Sequence, residues 1–121
     1  MVVEDDPAMQ HSLKFFLEVE GYTVTTHTAE TSAEADHDLK DAACVIIDQT
    51  LRGTSGLDYL EELRWRGYLS PAILIASHPD ARTQRGAEEA GAFVVEKPLL
   101  GDVLHLTLEL AIMQGPVAKP S

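Results

Sequence analysis

The run Cys44-Val45-Ile46-Ile47 contains no polar residue and ends on a carboxylate, Asp48. A strand that faces water on one side alternates apolar and polar residues, whereas one that is apolar throughout must be covered on both faces. This run therefore calls for a sheet with helices above and below it. The rest of the chain supplies both parts. Residues 1–4, 22–27, 71–76 and 93–95 are short, apolar or β-branched strand candidates. Between and after the strands lie stretches of helical spacing: residues 7–20 on Leu13, Phe16 and Leu17, then 31–40, about 55–66 on Leu57, Leu60 and Leu63, about 81–90, and 100–113. Pro7 is tolerated in a first turn, Gly21 and Gly91 stop helices, and Ser55 suits an N-cap. Alternating strands and helices predict an α/β fold, a parallel sheet with right-handed crossovers. Residues 1–113 form the domain. Residues 114–121, with two prolines and a glycine, are expected to form a flexible tail.

In open parallel sheets, ligands bind beyond the carboxyl ends of the strands. Glu4-Asp5-Asp6, Asp48, Ser77 and Lys97 all fall at such ends. Carboxylates gathered there repel one another, and the usual remedy is a hard divalent cation with oxygen ligands, typically Mg²⁺. A lysine beside them adds charge for an anion that the metal does not fully neutralise. Metal, carboxylate and lysine together suit phosphoryl chemistry.

Composition removes other classes. With 9 basic and 20 acidic residues the net charge is −11, which disfavours direct binding to nucleic acid or to an anionic membrane. No apolar stretch approaches the ~18–20 residues of a membrane span, and no signal peptide is visible, so a cytoplasmic protein is expected. The single cysteine, Cys44, excludes an internal disulfide and reads as a small buried hydrophobe. The histidines at 11, 27, 37, 78 and 105 have no zinc-ligand spacing, and His78 falls near the predicted site.

Val2-Val3-Glu4-Asp5-Asp6-Pro7, the segment from Asp48 to Gly56, Glu89-Ala90-Gly91-Ala92 and Glu96-Lys97-Pro98 stand in an order and spacing that resemble the receiver domain of two-component response regulators. The resemblance runs from Val2 to about Met113. It implies a flavodoxin-like (βα)5 fold with strand order 2-1-3-4-5. It also implies that Asp48 accepts a phosphoryl group from a sensor histidine kinase or a histidine phosphotransfer protein. Asp5, Asp48 and the backbone carbonyl of Thr50 would ligate Mg²⁺, with Glu4 acting through water. Lys97 would bind a phosphoryl oxygen, and the Lys97-Pro98 bond is commonly cis in this family. Such a protein is a phospho-acceptor that assists its own phosphorylation and dephosphorylation, rather than an enzyme acting on a separate substrate.

The chain departs from the pattern in the parts that read the signal. The position that usually holds Thr or Ser at the end of the fourth strand is Ala76, and Ser77, one residue later, is the candidate replacement for binding the phosphoryl group. The aromatic switch position is Val94, with Phe93 beside it. Arg52 stands where a proline is common.

The last helix carries two apolar stripes: Leu99, Val103, Leu106 and Leu110, and then Leu100, Leu104, Leu108 and Ile112. One stripe covers a sheet, so the other is expected to form an interface, for instance in a homodimer. Val103, Leu106, Leu108 and Leu110 are the candidate contact residues. With no output domain following, a stand-alone receiver signalling by contact or by phosphorelay is expected. The alternative is a pseudo-receiver that binds partners without phosphorylation. A phosphatase of the haloacid-dehalogenase type would need an aspartate at position 50, where this chain has Thr50.

Overall fold

A computed structural model describes residues 1–32, 34–99 and 101–118. Strands β1 (Val2–Val3), β2 (Thr26–His27), β3 (Val45–Asp48), β4 (Ala72–Ala76) and β5 (Ala92–Glu96) form one parallel sheet of order β2-β1-β3-β4-β5. The helices are α1 (Pro7–Val19), α2 (Ala29–Ser32), α3 (Asp36–Asp41), α4 (Gly56–Trp65), α5 (Ala81–Glu89) and α6 (Val103–Gln114).

Period-two alternation divides the sheet's side chains between two cores. Val2, Ile46, Ile73, Ile75 and Val95 pack with Leu13 and Leu17 of α1 and Leu104 and Leu108 of α6. Val3, Val45, Ile47 and Leu74 pack on the opposite face with Leu39, Leu57, Leu60 and Leu63. All four residues of β3 are buried, as its unbroken apolar run requires. Asp6 caps α1 by accepting from Ala8 N at 3.0 Å, and Ser55 caps α4 by accepting from Asp58 N at 3.0 Å.

Two elements differ from expectation. The strand expected over residues 22–27 is reduced to Thr26–His27, because its neighbour β1 offers only two residues to pair with. The helix expected over residues 31–40 is divided into α2 and α3. Thr28 and Thr31 each accept the other's backbone N–H, at 3.1 and 2.9 Å, which fixes a helix start at Ala29. The buried Ser32 hydroxyl donates back to Ala29 O at 2.8 Å. Hydroxyls that bond the local backbone in this way compete with a continuous helix.

The structure also decides between the two stripes of α6. Val103, Leu106 and Leu110 are exposed, whereas Leu108 is only 4% exposed and lies in the core with Leu104 and Ala111. Leu108 is therefore a packing residue and not a contact residue. Leu99, grouped with the exposed stripe by its spacing, packs against the same core, and Leu100 lies outside the described residues. In the segment after α6, Val117 N donates to Leu69 O at 2.9 Å and its side chain packs on Gly91. Residues 119–121 lie outside the described residues.

Candidate functional site

Asp48 and Lys97 reach the site because their strands stop there. β3 ends on Asp48, which is 4% exposed, and β5 ends at Glu96, one residue before Lys97. Lys97 N donates to Ala76 O at 2.8 Å, which continues the sheet's pairing one step past β5 and aims the ammonium inward. Its Nζ donates to Asp48 Oδ2 at 2.7 Å. The Lys97-Pro98 peptide is cis. Asp48 Oδ1 accepts from Thr50 N at 2.9 Å, so backbone and lysine between them fix both oxygens of the carboxylate.

Glu4 follows β1 and is 2% exposed. Its Oε1 accepts from Asp6 N at 3.0 Å, while Oε2 is buried with no hydrogen-bond donor. Burial, and after it the adjoining Asp48 carboxylate, push Glu4 up to about 8 from an ordinary 4.5. Burial also works against charge on Asp48, but its contacts with Glu4, Lys97 and Thr50 outweigh that and hold it below the usual carboxylate range. The pair thus holds one firm negative charge on Asp48 and a reluctant one on Glu4.

Asp5 is turned differently. Its Oδ1 accepts from Ala29 N at 2.8 Å and its Oδ2 from Arg52 N at 2.5 Å, so it ties the loops before α2 and α4 to the end of β1. Among the described residues no three His, Cys, Asp or Glu side chains converge closely enough to hold a metal ion. The donor chemistry nevertheless suits a hard divalent cation. Glu4, Asp5 and Asp48 are all oxygen donors, Glu4 Oε2 is buried with no donor bonded to it, and a cation would offset the burial and the Asp48 charge that disfavour an ionised Glu4.

The loop after Asp48 is held by contacts that sequence reasoning missed. Gln49 Oε1 accepts from Leu57 N at 2.8 Å, a second cap on α4, and Gly56 N donates to Gln49 O at 2.9 Å. Gly56 has no room for a side chain: a Cβ there would lie 2.4 Å from Asp48 O and 2.8 Å from Gln49 Cα. The glycine was legible as a loop boundary, but the closeness of the backbone it meets was not.

Ala76 is buried at the end of β4, opposite Glu96 in β5, and offers no hydroxyl. Ser77 and His78, both exposed, line a cleft of about 640 Å³ with Lys97, Pro98 and Leu99 on one side and Met9, Leu13 and Phe16 of α1 on the other. His78 takes a left-handed backbone, φ 48°, and its Nδ1 lies 3.6 Å from Glu96 Oε1. Val94 and Phe93 pack on opposite faces of the sheet, Val94 on the face covered by α4 and α5 and Phe93 on the face covered by α1 and α6. No helix among the described residues is long and apolar enough to cross a membrane.

Comparison with known proteins places the fold. Over 98 residues the chain is 36% identical to the transcriptional regulatory protein FixJ of Azorhizobium caulinodans, a match covering 80% of this chain and 46% of that protein. It spans about half the length of the curated relatives it matches. Among solved structures, response regulator StyR superposes with a TM-score of 0.83 at 27% identity, covering 94% of this chain and 58% of that one. A chain from the complex of histidine kinase ThkA with response regulator TrrA gives 0.77 at 26% identity, covering 91% and 94%. The beryllofluoride-activated NtrC4 receiver domain dimer gives 0.76 at 28%, covering 93% and 94%. The family model described as "Response regulator receiver domain" matches residues 1–109, and the chain belongs to that family.

Proposed function

We propose that Asp48 accepts a phosphoryl group from a phosphohistidine on a sensor kinase or a histidine phosphotransfer protein. The observation that carries this reading is the Lys97 ammonium 2.7 Å from a buried, ionised Asp48. In the transfer, a carboxylate oxygen of Asp48 forms a bond to phosphorus as the P–N bond breaks, and the phosphohistidine ring, protonated on its other nitrogen, leaves as neutral imidazole. Lys97 then moves its hydrogen bond from the carboxylate to a phosphoryl oxygen, so the positive charge stays where negative charge builds up. Asp5, Asp48, the Thr50 carbonyl and, through water, Glu4 would hold Mg²⁺, which supplies the remaining neutralisation of the phosphoryl oxygens. The protein is thus a phospho-acceptor that promotes its own modification and its reversal, and not an enzyme with a separate substrate.

The kinase in the ThkA–TrrA complex supports a partner of that kind. The NtrC4 dimer supports a self-associating receiver, here through the exposed Val103, Leu106 and Leu110 of α6. A cytoplasmic location and signalling by protein contact or onward transfer complete the reading. A second reading, a receiver that works without phosphorylation, is favoured only by Ala76, which leaves the fourth strand without a phosphoryl-binding hydroxyl, and by Val94 at the aromatic switch position. Incubation with acetyl phosphate and MgCl₂ separates the two. Intact-mass analysis is expected to show one added phosphoryl group on the wild type and none on Asp48→Asn; no addition to the wild type would leave the second reading standing.

A further inference from the structure

Asp5 ties together segments that lie far apart in the chain. Both of its oxygens accept backbone N–H groups, from Ala29 at 2.8 Å and from Arg52 at 2.5 Å. Short charge-assisted bonds of this kind are the strong ones. They occupy both oxygens of Asp5, and among the described residues no three-ligand cluster is gathered. Magnesium demands near-octahedral oxygen geometry at short distance, so it cannot use a carboxylate held in another direction. The Arg52 contact lies in the exposed β3–α4 loop, which makes it the one that can give way.

We propose that the Arg52 backbone N–H competes with the metal ion for Asp5, so that this bond lowers the site's divalent-cation affinity and metal binding releases that point of the β3–α4 loop. The inference rests on the reading of Asp5 as a Mg²⁺ ligand. Its agent is a backbone donor, so the identity of residue 52 matters mainly through whether it has an N–H. A proline has none.

The test is a titration of the ¹⁵N-labelled full chain with MgCl₂, with affinities measured for wild type, Arg52→Ala and Arg52→Pro. Arg52→Ala removes the side-chain charge but keeps the N–H, so it isolates the backbone effect. Arg52→Pro is expected to bind Mg²⁺ about tenfold more tightly than Arg52→Ala, the scale of one hydrogen bond to a charged group. In the wild type, saturating Mg²⁺ is expected to shift the Arg52 amide proton upfield and to speed its exchange with solvent. If Arg52→Pro does not fold, that amide decides the matter by itself. Mg²⁺ binding that leaves the Arg52 amide bonded, or a folded Arg52→Pro no tighter than Arg52→Ala, overturns the inference alone. Absence of any Mg²⁺-dependent change at Asp5, Asp48 or Thr50 overturns the metal-site reading and the inference with it.

Discussion

Lys97 Nζ donates to Asp48 Oδ2 across 2.7 Å, joining the ends of two strands that are 49 residues apart in the chain. Asp48 is almost fully buried and Lys97 partly so, and the pair therefore contributes to folding as well as to the proposed transfer. Replacing Lys97 by methionine leaves Asp48 beside Glu4 with no cation. The expected loss is about 1–3 kcal/mol of stability without metal, together with a drop of about 10²-fold in the rate of phosphorylation by acetyl phosphate. Urea unfolding and intact-mass kinetics measure the two effects. A Lys97→Met protein phosphorylated at the wild-type rate would remove the lysine from the chemistry.

Glu4 gives the metal-free protein a pH dependence of definite sign. Its folded value, about 8, is above the ordinary 4.5, so its contribution to stability is complete below pH 4.5 and is lost as pH rises toward 8. Compared with Glu4→Gln, the wild type is expected to lose up to a few kcal/mol across that window. Mg²⁺ favours the ionised form, so at pH 7 its binding is expected to release a proton, visible as a buffer-dependent heat in titration calorimetry. Parallel pH profiles for wild type and Glu4→Gln would show that Glu4 is not the group responsible.

Two glycines make a paired test of backbone crowding. A Cβ on Gly56 meets Asp48 O at 2.4 Å, and that atom belongs to the backbone on which the acceptor is built. Gly56→Ala is expected to cost about 2–3 kcal/mol and to slow phosphorylation by moving Asp48. A Cβ on Gly86 meets Leu57 Cδ2 at 2.7 Å, the far end of a flexible side chain. There the gain of about 1 kcal/mol in helix propensity offsets the repacking, and Gly86→Ala is expected to be near neutral. Thermal melts of the two variants compare the costs directly.

What the sequence disclosed follows from what kind of information each feature needs. Asp48 and Lys97 were legible because an apolar run marks a strand, and its last residue then marks the sheet's functional edge. The division of α2 from α3 was not, because it depends on hydroxyls of Thr28, Thr31 and Ser32 bonding to backbone instead of facing solvent. The two stripes of α6 were visible but equivalent, since both are apolar along their length, with His105, Thr107 and Glu109 between them, and only packing distinguishes Leu106 from Leu108. The Arg52–Asp5 bond was out of reach altogether: its donor is a main-chain N–H, the same in every residue but proline.

Ala76 supports a prediction about the response to phosphorylation. It is buried at the end of β4 and has nothing to offer a phosphoryl oxygen on Asp48. Ala76→Thr is therefore expected to enlarge the amide chemical-shift changes over residues 76–80 when the protein is phosphorylated. Equal responses in the two proteins would mean that Ser77 or a backbone group already fills that role.

The last prediction concerns the outer face of α6. Val103, Leu106 and Leu110 are 53%, 56% and 47% exposed, whereas Leu108, on the same helix, is 4% exposed. Two such helices packed together would bury several hundred Å² of apolar surface, worth on the order of several kcal/mol before the costs of association. A glutamate at position 106 would sit in that contact but in solvent within a monomer, so Leu106→Glu is expected to melt like the wild type while dissociating the dimer. A glutamate at position 108 would place an unpaired charge in the core, and Leu108→Glu is expected not to fold. Analytical ultracentrifugation over a range of concentrations, with and without phosphorylation, measures the association. A wild type that remains strictly monomeric under all of these conditions would assign the exposed stripe to a partner other than a second copy.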